Sequence, residues 1–438
     1  MALLASAASA AAPATRPAGD TKELYIPDRV FKVPNGNDYT NADSEYCYRR
    51  SIMSENLAMF WSKEYGDHPN ENPDPKKRFD PQQAIAECER FYQFYVDTLK
   101  FADRGHSVTD KYKLLIYVFG GNEGTAFGGG DDNKIGILWT PAVRINQKPY
   151  GALAHEMGHS FQSIVRFDGA PGFKGGPIYE MTSQFMLWQA YPEWQTFENY
   201  HLVAFMKQTH LSFLHPENQY HSPYLLEYWA YKHGQDFVAK LWRSAKENED
   251  PVQAYQRMAG IDQKQFNDEV FDAARRFVTW DMPRIEKTSA RYANQHTSEL
   301  RQVTDGWYEI APGRCPQNYG YNAIKLDVPA AGTDVKLNFK GEVGAEGFHA
   351  VKPELAGWRY GFLAVKSDGS RVYGPVNSDA TGTAEFKVPA DTSFLWFVVS
   401  GTPTEHWTRN PRSKPANDEQ WPYRFQLTGT KPNASVIR

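Results

Sequence analysis

His155 and His159 stand four residues apart in the run His155-Glu156-Met157-Gly158-His159. That spacing stacks two imidazoles on one face of a helix, where both can hold a single Zn²⁺ ion. Glu156 follows the first histidine directly, which places it to act as general base on a water beside the ion instead of as a ligand. Leu153, Met157, Phe161 and Ile164 recur at helical spacing and give that helix an apolar stripe with which to anchor itself. Lys174-Gly175-Gly176-Pro177 then interrupts the chain, and a second helical run follows from Ile178 to Trp188. Near the start of that run, twenty-one positions after His159, Glu180 offers a carboxylate. Two histidines and one carboxylate, with a fourth position left for water, is the ligand set of a catalytic zinc. A structural site would be closed by a fourth protein ligand, and no cysteine lies near enough in sequence to supply one.

An H-E-x-x-H helix with a glutamate at this distance on the following helix resembles the gluzincin metallopeptidases, the thermolysin-like and mucin-degrading group. The likeness covers residues 134–188. It implies a zincin-like domain in which His155, His159 and Glu180 ligate one zinc and Glu156 is the general base. Gln184, one turn beyond Glu180, falls where that group places a partner for a ligating histidine, although the thermolysin-like pattern has an acid there. A metzincin-like third ligand at Asp168 would require glycine and histidine or aspartate at set positions after His159. Ser160-Phe161-Gln162-Ser163-Ile164-Val165 stands there instead. Glu193 is a remaining rival, beyond the second helix beside Pro192. The rest of the chain is similar to uncharacterised secreted bacterial proteins, notably in Asn417-Asp418-Glu419-Gln420-Trp421-Pro422-Tyr423, a likeness that carries no function.

The elements around this motif predict an α+β arrangement, an early mixed sheet and a later helical lobe. Residues 81–100 form an amphipathic helix with Ile85, Cys88, Phe91, Tyr92, Tyr95 and Leu99 on one face. Residues 55–61 are a strand or short helix, and residues 112–119 an apolar strand. Residues 120–132, with six glycines, are expected to be a flexible loop. Asp131 and Asp132 give that loop a minor candidacy for Ca²⁺. Ile135–Trp139 is a strand that zincin-type enzymes would use as a sheet edge for an extended peptide; an ordinary core strand has the same sequence. Helical patterns follow over 225–245, 251–260 and 263–287, with Gly260 as a cap. From about Gly306 the pattern turns to short strands, near 335–339, 360–365, 384–388, 394–399 and 423–427, with a hairpin turn at Asp368-Gly369. The expected domains are residues 21–305, a metallohydrolase domain, and 306–438, a β-sandwich with Trp358, Trp396, Trp407 and Trp421 on its edges.

Composition narrows the partners. The 438 residues carry a net charge of −4 and a pI near 6.3, so no electrostatic footprint for nucleic acid or an anionic membrane exists. No apolar run reaches membrane-spanning length. Residues 1–20 are rich in alanine and proline with small-x-small triplets, and read as a residual export signal or an unstructured tail. A secreted or periplasmic protein is therefore expected, with an extracellular protein, glycoprotein or polysaccharide as substrate. Cys47, Cys88 and Cys315 permit at most one disulfide.

These readings converge on a zinc-dependent hydrolase, first a metallopeptidase. His221, Tyr224 and Tyr228 are candidates, by residue type, for the donor that steadies a tetrahedral oxyanion. A glycan hydrolase is the alternative, pairing Glu156 with Asp168 or Glu193 across a glycosidic bond. A non-catalytic adhesin stabilised by zinc is the third reading.

Overall fold

A computed structural model describes residues 21–408, 414 and 418–438. The expectations for residues 1–20 and for Asn417 lie outside the described residues. Two compact units divide the chain. The first takes residues up to Gly172 together with Gln189–Tyr191 and Trp242–Ser244, and the second takes the remainder.

The first unit is built on a five-stranded sheet: β1 (Ser51–Met53), β2 (Leu57–Trp61), β3 (Leu114–Phe119), β4 (Phe127–Asp131) and β5 (Ile135–Pro141), in the order β1-β2-β3-β5-β4. The pairs β2–β3 and β3–β5 are parallel, whereas β1 and β4 run antiparallel at the two ends. Strands β2, β3 and β5 are buried along their whole length. Continuous apolar runs such as Leu114-Leu115-Ile116-Tyr117-Val118-Phe119 suit strands covered on both faces. One face packs Phe60, Tyr117, Ile137 and Trp139 against the N-terminal segment, including Val30 and Tyr46.

Helices α1 (Pro81–Gln93) and α2 (Gly151–Phe167) belong to the same unit. Asp80 caps α1 by accepting from the amides of Gln82 and Gln83, with Pro81 in the first turn. The expected face of α1 and its continuation, Ile85 to Leu99, is buried throughout. Beyond Gln93 the coil widens to a π-turn over Phe94–Thr98, from which the Tyr95 hydroxyl donates to the Ala154 carbonyl of α2 at 2.9 Å. Helix α2 buries Leu153, Met157, Phe161 and Ile164 completely, as its stripe requires.

One expectation is corrected here, and one open alternative is decided. The glycine-rich segment is not simply a loop, because residues Phe127–Asp131 form β4. And β5 lies inside the sheet, so the edge strand is β4. The glycines explain both points. A Cβ on Gly128 would fall on the Glu156 carbonyl, and one on Gly130 would meet Phe167 and Ser163. On neighbouring β5, a Cβ on Gly136 would meet Ser160. Low strand propensity is the cost of letting the sheet lie directly on α2. Asp132 and Asn133, with φ of 51° and 52°, form the tight turn from β4 to β5. The Asp132 carboxylate accepts from the Tyr25 hydroxyl at 2.5 Å. These acids thus serve a hairpin turn, and no calcium site is assigned to them.

The second unit carries helices and two sheets. Its helical elements are α3 (Pro177–Ala190, shared at its last residues with the first unit), α4 (Trp194–Phe197), α5 (Asn199–Met206), α6 (Tyr224–His233), α7 (Phe237–Ser244), α8 (Pro251–Ala259), α9 (Gln263–Phe277) and α10 (Glu286–Ser289). The helical run expected over 225–245 is split by Gly234, whose φ of 104° ends α6. Gly260 caps α8 with φ 66°, as its position suggests. The strands are β6 (Leu300–Gln302), β7 (Trp307–Ile310), β8 (Tyr321–Leu326), β9 (Asp334–Gly341), β10 (Trp358–Lys366), β11 (Arg371–Tyr373), β12 (Thr381–Lys387), β13 (Thr392–Gly401) and β14 (Tyr423–Thr428). They form sheets of order β11-β10-β13-β8 and β12-β9-β14-β7-β6. Phe339, Tyr360, Phe362, Phe397 and Phe425 belong to one shared apolar core. Gly369, with φ 84°, makes the expected turn between β10 and β11.

Trp358, Trp396 and Trp421 are at most 2 % exposed, so they are core residues and not edge residues. The boundary expected near Gly306 falls inside the second unit, and side chains link the parts on either side of it. Arg359 pairs with Asp268 at 2.6 Å, Tyr373 donates to Asp281 at 2.6 Å, and Arg275 donates to the Gly374 carbonyl at 2.8 Å. Among the described residues no helix is long and apolar enough to cross a membrane. All three cysteines are buried and unpaired, and burial pushes the thiols of Cys88 and Cys315 well above their usual pKa.

Gly128→Ala tests the contact between β4 and α2. The methyl group must displace backbone, so we expect a loss of about 1–3 kcal/mol in denaturant unfolding. Gly129→Ala is the control: its Cβ would meet nothing within 4 Å, so its unfolding midpoint should stay near wild type.

Candidate metal centre

Helix α2 carries His155, Glu156 and His159 in its second and third turns. The His155 and His159 rings lie 4.8 Å apart at 87°, the relation expected one helical turn apart. His159 is buried, and His155 is half-buried. The His159 Nδ1 stands 2.9 Å from the Gln162 Oε1. An amide oxygen only accepts, so the imidazole proton sits on Nδ1 and the lone pair on Nε2, the form a metal requires. Gln162 is a partner the sequence reading missed. Its signal was present: an amide three residues after a ligating histidine lies on the same helix face.

Gly175 and Gly176 adopt φ of 65° and 74°, left-handed conformations that admit a sharp reversal before Pro177 opens α3. Glu180 lies in the first turn of α3, half-buried. Ligand atoms of His155, His159 and Glu180 all lie within 4.8 Å of one another. Two imidazole nitrogens and one carboxylate oxygen that close are a group that could hold one metal ion; a four-coordinate zinc there would leave one position over.

The rival third ligands are placed elsewhere. Asp168 ends α2, nine residues beyond His159, which is about 13 Å along the axis at 1.5 Å per residue. There it accepts from the Val108 amide at 2.9 Å, and burial raises its pKa. Glu193 is exposed and precedes α4.

The three donor candidates differ in environment. Tyr224 is fully buried, with the rings of Phe205, Trp280 and Trp188 4.4, 4.7 and 5.3 Å away. The Tyr228 hydroxyl donates to Asp272 at 2.9 Å, and burial beside that carboxylate drives its pKa far up. Tyr224 is thus enclosed by rings, and the Tyr228 hydroxyl is committed to Asp272. His221 is half-buried, with its Nδ1 2.6 Å from the Nδ1 of His201. Gln184 donates to the Tyr220 carbonyl at 2.8 Å and lies 3.1 Å from the His201 Nε2. His201 was not singled out from the sequence, because nothing in its local pattern marks it.

Comparison with known proteins gives a family without an activity. The chain belongs to DUF6055, a family of unknown function, which matches residues 17–434. No curated protein matches it. Among solved structures, a mitogen from Yersinia pseudotuberculosis is 10% identical over 27% of this chain and 91% of its own, with a TM-score of 0.17. The family 22 carbohydrate-binding module of Clostridium thermocellum Xyn10B is 9% identical over 32% of this chain and 83% of its own, with a TM-score of 0.19. A structure of accessory secretory protein 1, 2 and 3 from Streptococcus pneumoniae gives 8%, 32%, 87% and 0.17. Likenesses at these scores carry no argument about fold or function.

The ligand assignment has a direct check in metal analysis of purified variants. Glu180→Ala should weaken zinc by orders of magnitude, since two anchors remain of three. Asp168→Ala should retain a full equivalent.

Proposed function

We propose that this chain is a zinc-dependent hydrolase of the gluzincin type, acting on peptide bonds in extracellular proteins or glycoproteins. The observation that carries the reading is the convergence of His155, His159 and Glu180 to within 4.8 Å. It is supported by the Gln162 bond, which puts the His159 lone pair on Nε2. Zinc, when bound, would supply a Lewis acid that lowers the pKa of water and polarises a carbonyl. His155, His159 and Glu180 would hold it. Glu156, between the two histidines but unable to share their helix face, takes the water's proton and returns it to the leaving amine. The small-residue stretch at 1–20 supports an exported protein.

One fact favours a peptide bond over a glycosidic bond cut between Glu156 and Asp168. Retaining and inverting glycosidases hold two carboxyl groups about 5–9.5 Å apart. Asp168 is twelve residues from Glu156 on the same helix, about 18 Å along its axis.

Glu156→Gln separates base from ligands. The variant should purify with zinc and unfold like wild type, while its hydrolysis of casein or mucin falls about 10²–10⁴-fold. Wild-type turnover by this variant, or release of sugars but not peptides from mucin, would overturn the proposal.

A further inference from the structure

Strand β4 is the least self-sufficient of its sheet. Three of its five residues are glycine, and it lies at the sheet edge, so β5 holds it from one side only. Glycine gives up the most backbone freedom on ordering and brings no side chain to pack. Gly128 and Gly130 face α2, whereas a Cβ on Gly129, pointing the other way, would meet nothing within 4 Å. The middle of the strand is therefore bare on its outer face. Contacts that hold it there lie at its two ends, and both come from residues 25–32.

At the entrance to β4, the Lys32 ammonium pairs with Glu123 in the connection from β3. It also lies over the rings of Phe119, Phe31 and Phe127, 4.3, 5.2 and 5.7 Å from their centroids. A cation enclosed by three aromatic faces and a carboxylate is held more firmly than an exposed ion pair. Phe31 meets Phe127 edge-on, with centroids 5.7 Å apart. Lys32 has φ 60°, a left-handed backbone that a lysine keeps only where its surroundings impose it. At the exit from β4, the Tyr25 hydroxyl donates to Asp132 at 2.5 Å, and the Lys134 ammonium lies 4.1 Å from the Tyr25 ring centroid. Residues 25–32 thus cross residues 123–132 from end to end in the opposite direction. They form no strand of their own, and the fastenings are side-chain contacts. Between the fastenings, Val30 sinks into the apolar core of that sheet face.

We propose that residues 25–32 are a strap that keeps the glycine strand seated on α2, with Lys32 and Tyr25 as its two pins. The seat matters because Gly128 lies against the Glu156 carbonyl, where a Cβ would fall 2.1 Å from the oxygen. Resting on the metallohydrolase reading above, the pins are also positioning residues for Glu156. With both drawn, β4 lifts from the turn of α2 that carries Glu156 and that turn loses its backing, while none of the zinc ligands is altered.

Hydrogen exchange of the full chain, read by mass spectrometry with fragmentation over residues 120–134, tests the strap without any substrate. Lys32→Met removes the cation and should speed exchange at the Phe127 end of β4 about tenfold. Tyr25→Phe removes one hydroxyl and should act at the Asp131 end, and the double variant should open the whole strand. Lys32→Arg keeps a cation over the rings and should stay near the wild-type rate. If Lys32→Met does not fold, Glu123→Gln breaks the same fastening from the other side. In the double variant kcat on casein should fall about tenfold, with zinc content and KM near wild type. Exchange in β4 that is indifferent to the folded variants overturns the strap. Acceleration by Lys32→Arg as large as by Lys32→Met overturns the role of the cation, and faster exchange with unchanged kcat overturns the positioning of Glu156. Faster exchange in a protein that binds no zinc and cuts nothing leaves the strap standing and overturns the metallohydrolase reading instead.

Discussion

Contact without side chains, between a strand and a helix, governs the first unit. Gly128 and Gly130 on β4 and Gly136 on β5 leave no room for a Cβ above α2. The helix with both histidines is therefore seated on backbone from one side and on Tyr95 from another. Fixing α2 in this way fixes the direction in which His155 and His159 project, since a helix side chain points where its Cα–Cβ bond allows. Bulkier strand residues would raise the local propensity for β structure and lift the helix off the sheet. The sequence trades strand stability for closeness, and the trade occurs directly beneath Glu156.

That trade also explains what the sequence conceals. Periodicity reveals elements whose stability comes from an apolar face, and so α1, α2 and the strands around Phe339, Phe362 and Phe397 are legible. His155, His159 and Glu180 are legible for a different reason: residue types able to hold a metal stand there at a recognisable spacing, and the structure brings their ligand atoms within 4.8 Å of one another. β4 has neither signal. Its glycines match a loop in every local respect, and only the carbonyl of Glu156 on the far side of the gap gives them meaning. For the same reason the sequence leaves β5 open between an edge and a core strand, since the strand that caps the sheet carries no strand signal of its own.

Aromatic side chains give the second unit its own logic. Tyr224 sits among Trp188, Trp194, Phe205 and Trp280, and the sandwich core stacks Tyr360 on Phe339 with centroids 4.1 Å apart. Residue type alone could not tell a hydroxyl used for chemistry from one surrounded by rings, so Tyr224 and Tyr228 looked equivalent to His221. Burial and partner choice separate them. Buried charge follows the same rule, since Glu227, 1 % exposed, is met by two nitrogens of Arg284 at 2.8 and 2.7 Å. A carboxylate so deep persists only with such a partner. Bonds of this kind join helices to strands across the position where composition changes, so a change in sequence pattern need not be a seam in packing.

The three buried thiols carry a further consequence. Cys47, Cys88 and Cys315 are spread over separate parts of the interior and cross-link nothing. The architecture thus owes none of its stability to oxidation, and reductants have no bond to remove. With Cys88 and Cys315 held protonated by their surroundings, the reactive thiolate is scarce while the protein stays folded. Thiol-specific reagents therefore act as reporters of unfolding at these two positions, marking the moment at which the interior opens.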